Sequence, residues 1–255
     1  ELEGGYRSLL LPSGLAAVTT ALLAHLKTGD HLLITDSVYA PTRHFCDTML
    51  KDLGIDVEYY DPRIGAGIEK LIRPQTAVVF TEAPGSVTFE VQDIPAIADV
   101  AHRAGATVMM DNTWASPLYY KPFEHGVDVS IQAVTKYLCG HSDVMMGAIT
   151  TTQAAWKRTL AGHGAIGMCA GPDDVYLVLR GIRTLSVRLA RHMETGLTLA
   201  RWFEARPEVE RVIHPALPSH PDHAIWKRDF TGASGLFSIE LKPCGETALA
   251  AFLDK

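Results

Sequence analysis

Short β-rich runs alternate with helical stretches through the first 150 residues, and this alternation constrains the fold more than any other feature. The β-rich runs occupy residues 31–35, 57–60, 77–81, 107–110, 129–132 and 147–151. Helical stretches such as residues 95–103 separate them, and the runs are nearly continuous in apolar side chains. Strands that are buried on both faces have this character. The sequence therefore predicts an α/β fold with a mostly parallel sheet sandwiched by helices.

The pattern changes after the last of these runs, and the change indicates a second domain. Residues 173–205 form a long helical pattern that we expect to lead out of the large domain. The pattern then changes again, with residues 207–212, a loop rich in proline and histidine over residues 214–223, and residues 235–241. We therefore predict a large domain over residues 1–190 and the beginning of a smaller α+β domain over residues 191–255.

Charge, hydropathy and cysteine spacing narrow the classes of function. The net charge of −6 gives no reason to expect nucleic acid or an anionic membrane as a partner. The apolar runs are too short to span a bilayer, and the four cysteines show neither metal-ligand nor disulfide spacing. Residues 1–5 show no signal-peptide pattern, so we expect a cytoplasmic protein. Residues 248–255 stop inside a helix-like pattern, so we expect the chain to be an internal piece of something longer.

Lys136 and Asp111 each follow a predicted strand, and sheets of this class bind ligands at the carboxyl ends of their strands. Lys136 lies among small and apolar residues, so we expect it to be buried. Burial would depress the pKa of its amine and make it a nucleophile able to form a Schiff base; the alternative is a surface lysine on a βα loop. Asp111 ends the apolar run at 107–110 and is either a buried carboxylate of a site or a helix cap.

Two earlier segments offer groups that bind an anion and a flat ring. Ser13 and Gly14 open a helical stretch toward His25, where the free N–H groups of the first turn bind an anion or the serine simply caps the helix. Tyr39 follows the run at 31–35, and it could lie against an aromatic ring, serve as an acid or be structural.

Pyridoxal phosphate (PLP) requires four groups together: a helix N-terminus, a flat side chain, a buried carboxylate and a lysine. Its phosphate binds at a helix N-terminus, and its ring stacks on a flat side chain. Its pyridine nitrogen stays protonated beside a carboxylate, and its aldehyde carbon reacts with an amine. We therefore expect PLP as the cofactor.

The stretches 111–114 and 132–138, followed by Gly-His-Ser-Asp at 140–143, resemble the signature of the Cys/Met-metabolism family of PLP enzymes. The resemblance implies the type I PLP-dependent transferase fold, which is aspartate-aminotransferase-like. It also implies a role for each matched position. Lys136 would form the Schiff base, Asp111 would hold the ring nitrogen, Tyr39 would stack on the ring, and Gly14, Leu15 and Thr135 would contact the phosphate.

Residues 82–90, 180–185 and 226–230 resemble the branch of the family that cleaves cystathionine to homocysteine, pyruvate and ammonia. Trp114 favours the same branch, because the γ branch usually carries Phe there. The resemblance implies a PLP-dependent carbon–sulfur lyase in which Lys136 and, through its hydroxyl, Tyr39 are catalytic. Three alternatives stay open: a γ-lyase or γ-synthase, a broad cysteine-S-conjugate lyase, and a PLP-binding regulatory module.

The resemblance also implies a homodimer or homotetramer with sites between subunits, acting on a small sulfur amino acid. Two departures from the family pattern bear on this expectation. Ala133 stands where many members carry Ser, so it supplies no hydroxyl to the phosphate. The family's Tyr-x-Arg segment, which reaches a neighbour's phosphate, and its C-terminal arginine, which holds the substrate carboxylate, are not in the sequence as printed.

Overall fold

The computed structural model describes residues 2–254 of the chain. Its strands are β1 (Arg7–Leu11), β2 (His31–Thr35), β3 (Asp56–Tyr60), β4 (Thr76–Glu82), β5 (Thr107–Asp111), β6 (Val129–Gln132), β7 (Gly147–Thr151), β8 (Val209–Ile213) and β9 (Ser238–Leu241). Its α-helices are α1 (Gly14–His25), α2 (Ala40–Phe45), α3 (Ile94–Arg103), α4 (Ser116–Tyr119), α5 (Gln153–Ile166), α6 (Pro172–Ile182), α7 (Leu185–Glu204), α8 (His223–Asp229) and α9 (Glu246–Leu253). A π-helical turn (Cys46–Leu50) and two 3₁₀ turns (Gly65–Lys70 and Pro122–His125) complete the list.

Seven strands form one mixed sheet in the order β1-β7-β6-β5-β4-β2-β3. The five strands from β6 to β3 in this order run parallel, and β7 is antiparallel to both of its neighbours. The mostly parallel sheet expected from the sequence is therefore confirmed, and each of the six predicted runs coincides with a strand to within one residue at either end. Strand β1, at the edge of the sheet, was not predicted. Arg7, Ser8 and Leu10 of this strand are exposed, and its first two residues are polar, so it lacks the continuous apolar character of the others.

Helices cover both faces of this sheet, because successive side chains along each strand point to opposite faces. On one face, Phe80 and Met109 pack in a buried cluster with the apolar residues of α1 and α5. On the other face, Val79 and Val108 pack with residues of α3 such as Ile97. Burial on both faces explains why the parallel strands read as continuous apolar runs.

The single helical pattern at residues 173–205 divides into α6 and α7. The hydroxyl of Thr184 donates to the carbonyl of Gly181 at 3.1 Å, and the guanidinium of Arg188 donates to the same carbonyl at 2.8 Å. These contacts satisfy a carbonyl at the end of α6, where the helical ladder stops. The predicted domain boundary near residue 190 falls inside α7 and stays a prediction.

Beyond α7 lies the second sheet, in which β8 and β9 pair antiparallel. Val212 and Leu217 form a small buried cluster with Ala200 of α7. The C-terminal helical pattern corresponds to α9. Within residues 2–254, no helix combines the length and the apolar character that crossing a membrane requires.

Candidate active site

Lys136 lies in a turn that leaves the carboxyl end of β6. Its N–H donates to the carbonyl of Ala133 at 3.0 Å, and its carbonyl accepts from the N–H of Gly140 at 2.8 Å. The apolar neighbours Val134 and Leu138 are buried, whereas Lys136 itself is exposed. The expectation that Lys136 is buried is therefore wrong for this chain. The turn directs the apolar side chains into the protein and leaves the lysine between them on the outer side.

Arg188 of α7 fixes the segment that follows Lys136. Its guanidinium donates to the carbonyl of Tyr137 at 2.9 Å, and it lies over Gly140. A Cβ at Gly140 would lie 1.8 Å from Nη1 of Arg188, and φ there is +76°, so this position requires glycine. The contacts of Arg188 thus connect the turn that carries the lysine to α7.

Asp111 ends β5, on the same face of the sheet as Met109. Its Oδ1 accepts from the backbone N–H of Thr113 at 2.9 Å and from the Thr113 hydroxyl. Its Oδ2 accepts no hydrogen bond from the described residues 2–254. Burial raises the pKa of Asp111, and the two donors from Thr113 oppose that rise. A half-buried carboxyl oxygen without a partner is well suited to bind an N–H group of a ligand.

Thr113 joins the Asp111 carboxylate to the turn that carries Lys136. Its hydroxyl donates to Asp111 Oδ1 and accepts from the backbone N–H of Ala133 at 2.8 Å. Thr113 is not among the site residues predicted from the sequence. The local signal was the Asp-x-Thr spacing, in which the aspartate bonds the backbone two residues on. The contact with Ala133 has no local signal, because it joins residues 20 positions apart.

The N-terminus of α1 lies against the same turn. Ser13 caps the helix by accepting from the N–H of Ala16 at 3.0 Å, and the first-turn N–H groups of Gly14 and Leu15 have no intrahelical partner. A Cβ at Gly14 would lie 2.8 Å from the Cβ of Ala133. The absence of a side chain at Gly14 therefore lets these N–H groups approach the turn that carries the lysine.

Thr135 and Tyr39 complete the set of predicted site residues. The hydroxyl of Thr135 hydrogen-bonds both the carbonyl and the N–H of Met146, at 3.2 and 3.0 Å, so it braces the turn against the segment before β7. Its contact with a phosphate stays a prediction. Tyr39 directly precedes α2 and is 48% exposed. Its backbone N–H donates to Oε2 of Glu82 at 2.9 Å, and Glu82 is the register partner of Asp111 on the adjacent strand.

A chain of contacts therefore connects the segments that carry Tyr39, Asp111 and Lys136. Tyr39 contacts Glu82, which lies beside Asp111, and Asp111 is linked through Thr113 to Ala133, three residues before Lys136. The unpartnered oxygen of Asp111, the exposed amine and the free N–H groups of α1 fit the pyridine nitrogen, the aldehyde and the phosphate of PLP. No cluster of His, Cys, Asp or Glu suited to a metal ion occurs among residues 2–254.

Comparison with known proteins gives consistent matches over the whole chain. The family model described as Cys/Met metabolism PLP-dependent enzyme matches residues 1–255. The chain is 47% identical to the cystathionine β-lyase of Salmonella typhimurium and 46% identical to that of Escherichia coli, in each case over 257 residues and 100% of this chain. It spans only 65% of the length of each of these two relatives.

A solved structure shows that the likeness extends to the fold. The cystathionine γ-lyase of Lactobacillus plantarum complexed with L-serine matches with a TM-score of 0.92 and 32% sequence identity. The match covers 95% of this chain and 64% of that one. The predicted type I PLP-dependent transferase fold is therefore confirmed.

Proposed function

Because the chain belongs to the Cys/Met metabolism PLP-dependent enzyme family, we propose that the protein is a carbon–sulfur lyase that cleaves cystathionine by β-elimination. The products are homocysteine, pyruvate and ammonia. The observation that carries this proposal is the convergence of Lys136, Asp111 and the start of α1 on one turn. The choice of β-elimination is supported by the 46–47% identity to two proteins named cystathionine β-lyase.

The residues of the site divide the work of such a reaction. PLP, when bound, supplies an aldehyde that condenses with amines and a protonated ring that withdraws electrons from the substrate's Cα. Asp111 Oδ2 would accept the N–H of the ring nitrogen, and the first-turn N–H groups of Gly14 and Leu15 would bind the phosphate. Nζ of Lys136 is the amine that would hold the aldehyde, and as a free amine it would remove the proton from Cα of the substrate. Lys136 or the hydroxyl of Tyr39 then donates a proton to the departing sulfur.

The openness of the site supports a proposal about its partners. Lys136, Tyr39 and Leu15 are all exposed in the single chain. A reaction of this class benefits from exclusion of water, because electrostatic interactions are stronger in a dry site. We therefore propose a homodimer or homotetramer in the cytoplasm, in which a neighbouring subunit covers this face. The substrate is a small sulfur amino acid.

The keto acid that is released from cystathionine tests the proposed reaction. β-Elimination gives pyruvate, whereas γ-elimination gives 2-oxobutyrate. The second outcome has to be tested because the matching L. plantarum structure is named a cystathionine γ-lyase. We expect the full-length protein to release pyruvate. Lys136→Ala should abolish release and remove the visible absorbance of the bound cofactor, while Lys157→Ala, at an exposed lysine of α5, should change neither. Release of 2-oxobutyrate alone would refute β-elimination, and full turnover by Lys136→Ala would refute the role of Lys136.

A further inference from the structure

Glu82 is a buried carboxyl group that the proposed reaction does not use. It ends β4 and is 8% exposed. Its Oε2 accepts from the backbone N–H of Tyr39 at 2.9 Å, and its Oε1 accepts from the hydroxyl of Ser86 at 2.5 Å. Its side chain points to the same face of the sheet as that of Asp111, its register partner. Both oxygens are thus committed to residues that border the candidate active site.

The environment of Glu82 is unfavourable for a carboxylate. Within residues 2–254, no lysine, arginine or histidine forms an ion pair with it. Burial raises the pKa of Glu82 to about 8, and the nearby charge of Asp111 adds to the rise. An apolar residue would fit the end of a buried strand at lower cost. A carboxyl group that is kept in such a place, beside the candidate active site, is a candidate for a functional role.

We propose that Glu82 is a positioning residue for Tyr39, and through Tyr39 for the cofactor ring. Its two oxygens tie the backbone of Tyr39 to Ser86, so that the loop before α2 and the loop after β4 form one rigid unit. The inference rests on the proposed function only in that Tyr39 stacks on PLP. It adds a residue that touches neither substrate nor cofactor but fixes one that does.

The carbonyl of Tyr39 accepts from the N–H of Arg43 at 3.0 Å, within the first turn of α2, and the contact with Glu82 is the bond that holds its N–H. Tyr39 is 48% exposed, and helix α2, which it precedes, has only six residues and no side-chain cap. A second contact joins the same two loops, since the N–H of Ser86 donates to the carbonyl of Ser37 at 2.8 Å. Loss of Glu82 should therefore loosen the position of Tyr39 without separating the loops.

Three substitutions at Glu82 and one control separate positioning from a general structural role. Glu82→Met keeps the length of the side chain and removes both oxygens. Glu82→Gln keeps an oxygen that can accept from the Tyr39 N–H and an amide that can donate to the Ser86 hydroxyl. Glu82→Asp keeps the carboxyl group but shortens its reach by one methylene. The control is Glu90→Ala, which removes a half-buried carboxylate that accepts from the hydroxyl of Thr88 on the same loop.

The readouts are the dissociation constant for PLP, the circular dichroism of the bound cofactor and the thermal midpoint of the full-length protein. We expect Glu82→Met to bind PLP about tenfold more weakly, equivalent to about 1.4 kcal/mol, because one hydrogen bond to the Tyr39 backbone is lost. Its cofactor dichroism should fall, because the ring next to the cofactor is no longer held. Glu82→Gln should stay within about twofold of the wild type, and Glu90→Ala should match the wild type. Glu82→Asp should show the same loss as Glu82→Met, and it replaces that variant if the latter does not fold.

Wild-type affinity and dichroism in both Glu82→Met and Glu82→Asp would overturn the inference. A loss in Glu82→Gln as large as in Glu82→Met would also overturn it, since the amide preserves both hydrogen bonds. The proposed reaction is tested by a separate measurement. A wild-type protein that binds PLP but releases no pyruvate from cystathionine refutes the reaction, while the dichroism of the variants still decides the role of Glu82.

Discussion

Replacing Thr113 by valine removes the hydroxyl that connects Asp111 to the turn bearing Lys136. The side chain stays β-branched and similar in size, so the main loss is hydrogen bonding. Two contacts disappear: the bond donated to Asp111 Oδ1 and the bond accepted from the Ala133 N–H at 2.8 Å. The backbone N–H of residue 113, which donates to the same carboxylate oxygen at 2.9 Å, is retained.

The size of the effect follows from these contacts. A hydrogen bond to a charged group contributes about 1.5–3 kcal/mol, and the half-buried position of Thr113 places this one toward the lower end. Because Asp111 keeps its backbone donor, we expect a loss of about 1.5–2 kcal/mol in transition-state stabilisation, or roughly 10- to 30-fold in kcat/KM. The pKa of Asp111 should rise, since both hydrogen bonds from Thr113 lower it. The carboxylate that holds the ring nitrogen would then be protonated at a higher pH than in the wild type.

The assay is pyruvate release from cystathionine by the full-length protein, measured across a range of pH. The matched control is Thr113→Ser, which keeps the hydroxyl and should retain most of the activity. In Thr113→Val, the acidic limb of the pH–rate profile should move to higher pH, because activity requires ionised Asp111. If the valine and serine variants share the same kcat/KM and the same pH profile, the hydroxyl does not support Asp111 and the reasoning is wrong.

Three further outcomes can be checked. Asp111→Asn should keep the fold and bind PLP. It should lower kcat by orders of magnitude, because an amide does not keep the ring nitrogen protonated. A decrease of only a few-fold would mean that Asp111 has a structural role. Tyr39→Phe keeps the ring and should bind PLP normally with a lower elimination rate and an altered pH profile, and a collapse of cofactor affinity would contradict this. Burial lowers the pKa of His25 from 6.5 to about 4. Below about pH 6.5 the unfolded state binds a proton at His25 that the folded state does not. The free energy of unfolding is therefore lowered by up to about 3 kcal/mol as the pH falls from 6.5 toward 4. In urea unfolding, His25→Gln should weaken the pH dependence of the free energy of unfolding between pH 4 and 6.5. An unchanged pH dependence in this variant would contradict the role of His25.

The sequence by itself determined where the buried strands lie and which polar residues follow them. Strands β2, β6 and β7 begin and end where the apolar runs do, because burial on both faces leaves a continuous local pattern. Lys136 and Asp111 could be placed at strand ends for the same reason. Local composition also indicated Ser13 as a helix cap, which the contact with the Ala16 N–H confirms.

The tertiary structure alone decided which of these segments meet and how exposed they are. Tyr39 and Glu82 are 43 positions apart, and Thr113 and Ala133 are 20 apart. Contacts of this kind depend on strand order and register, and a local pattern carries information on neither. The expected burial of Lys136 is wrong for the same reason. Small and apolar neighbours in sequence surround a side chain only if the backbone turns them toward it. Here the turn after β6 directs them inward. A hydropathy pattern depends on residues that are close in sequence, so it predicts the strands. The site depends on which strand ends the sheet brings together, so the local pattern does not predict it.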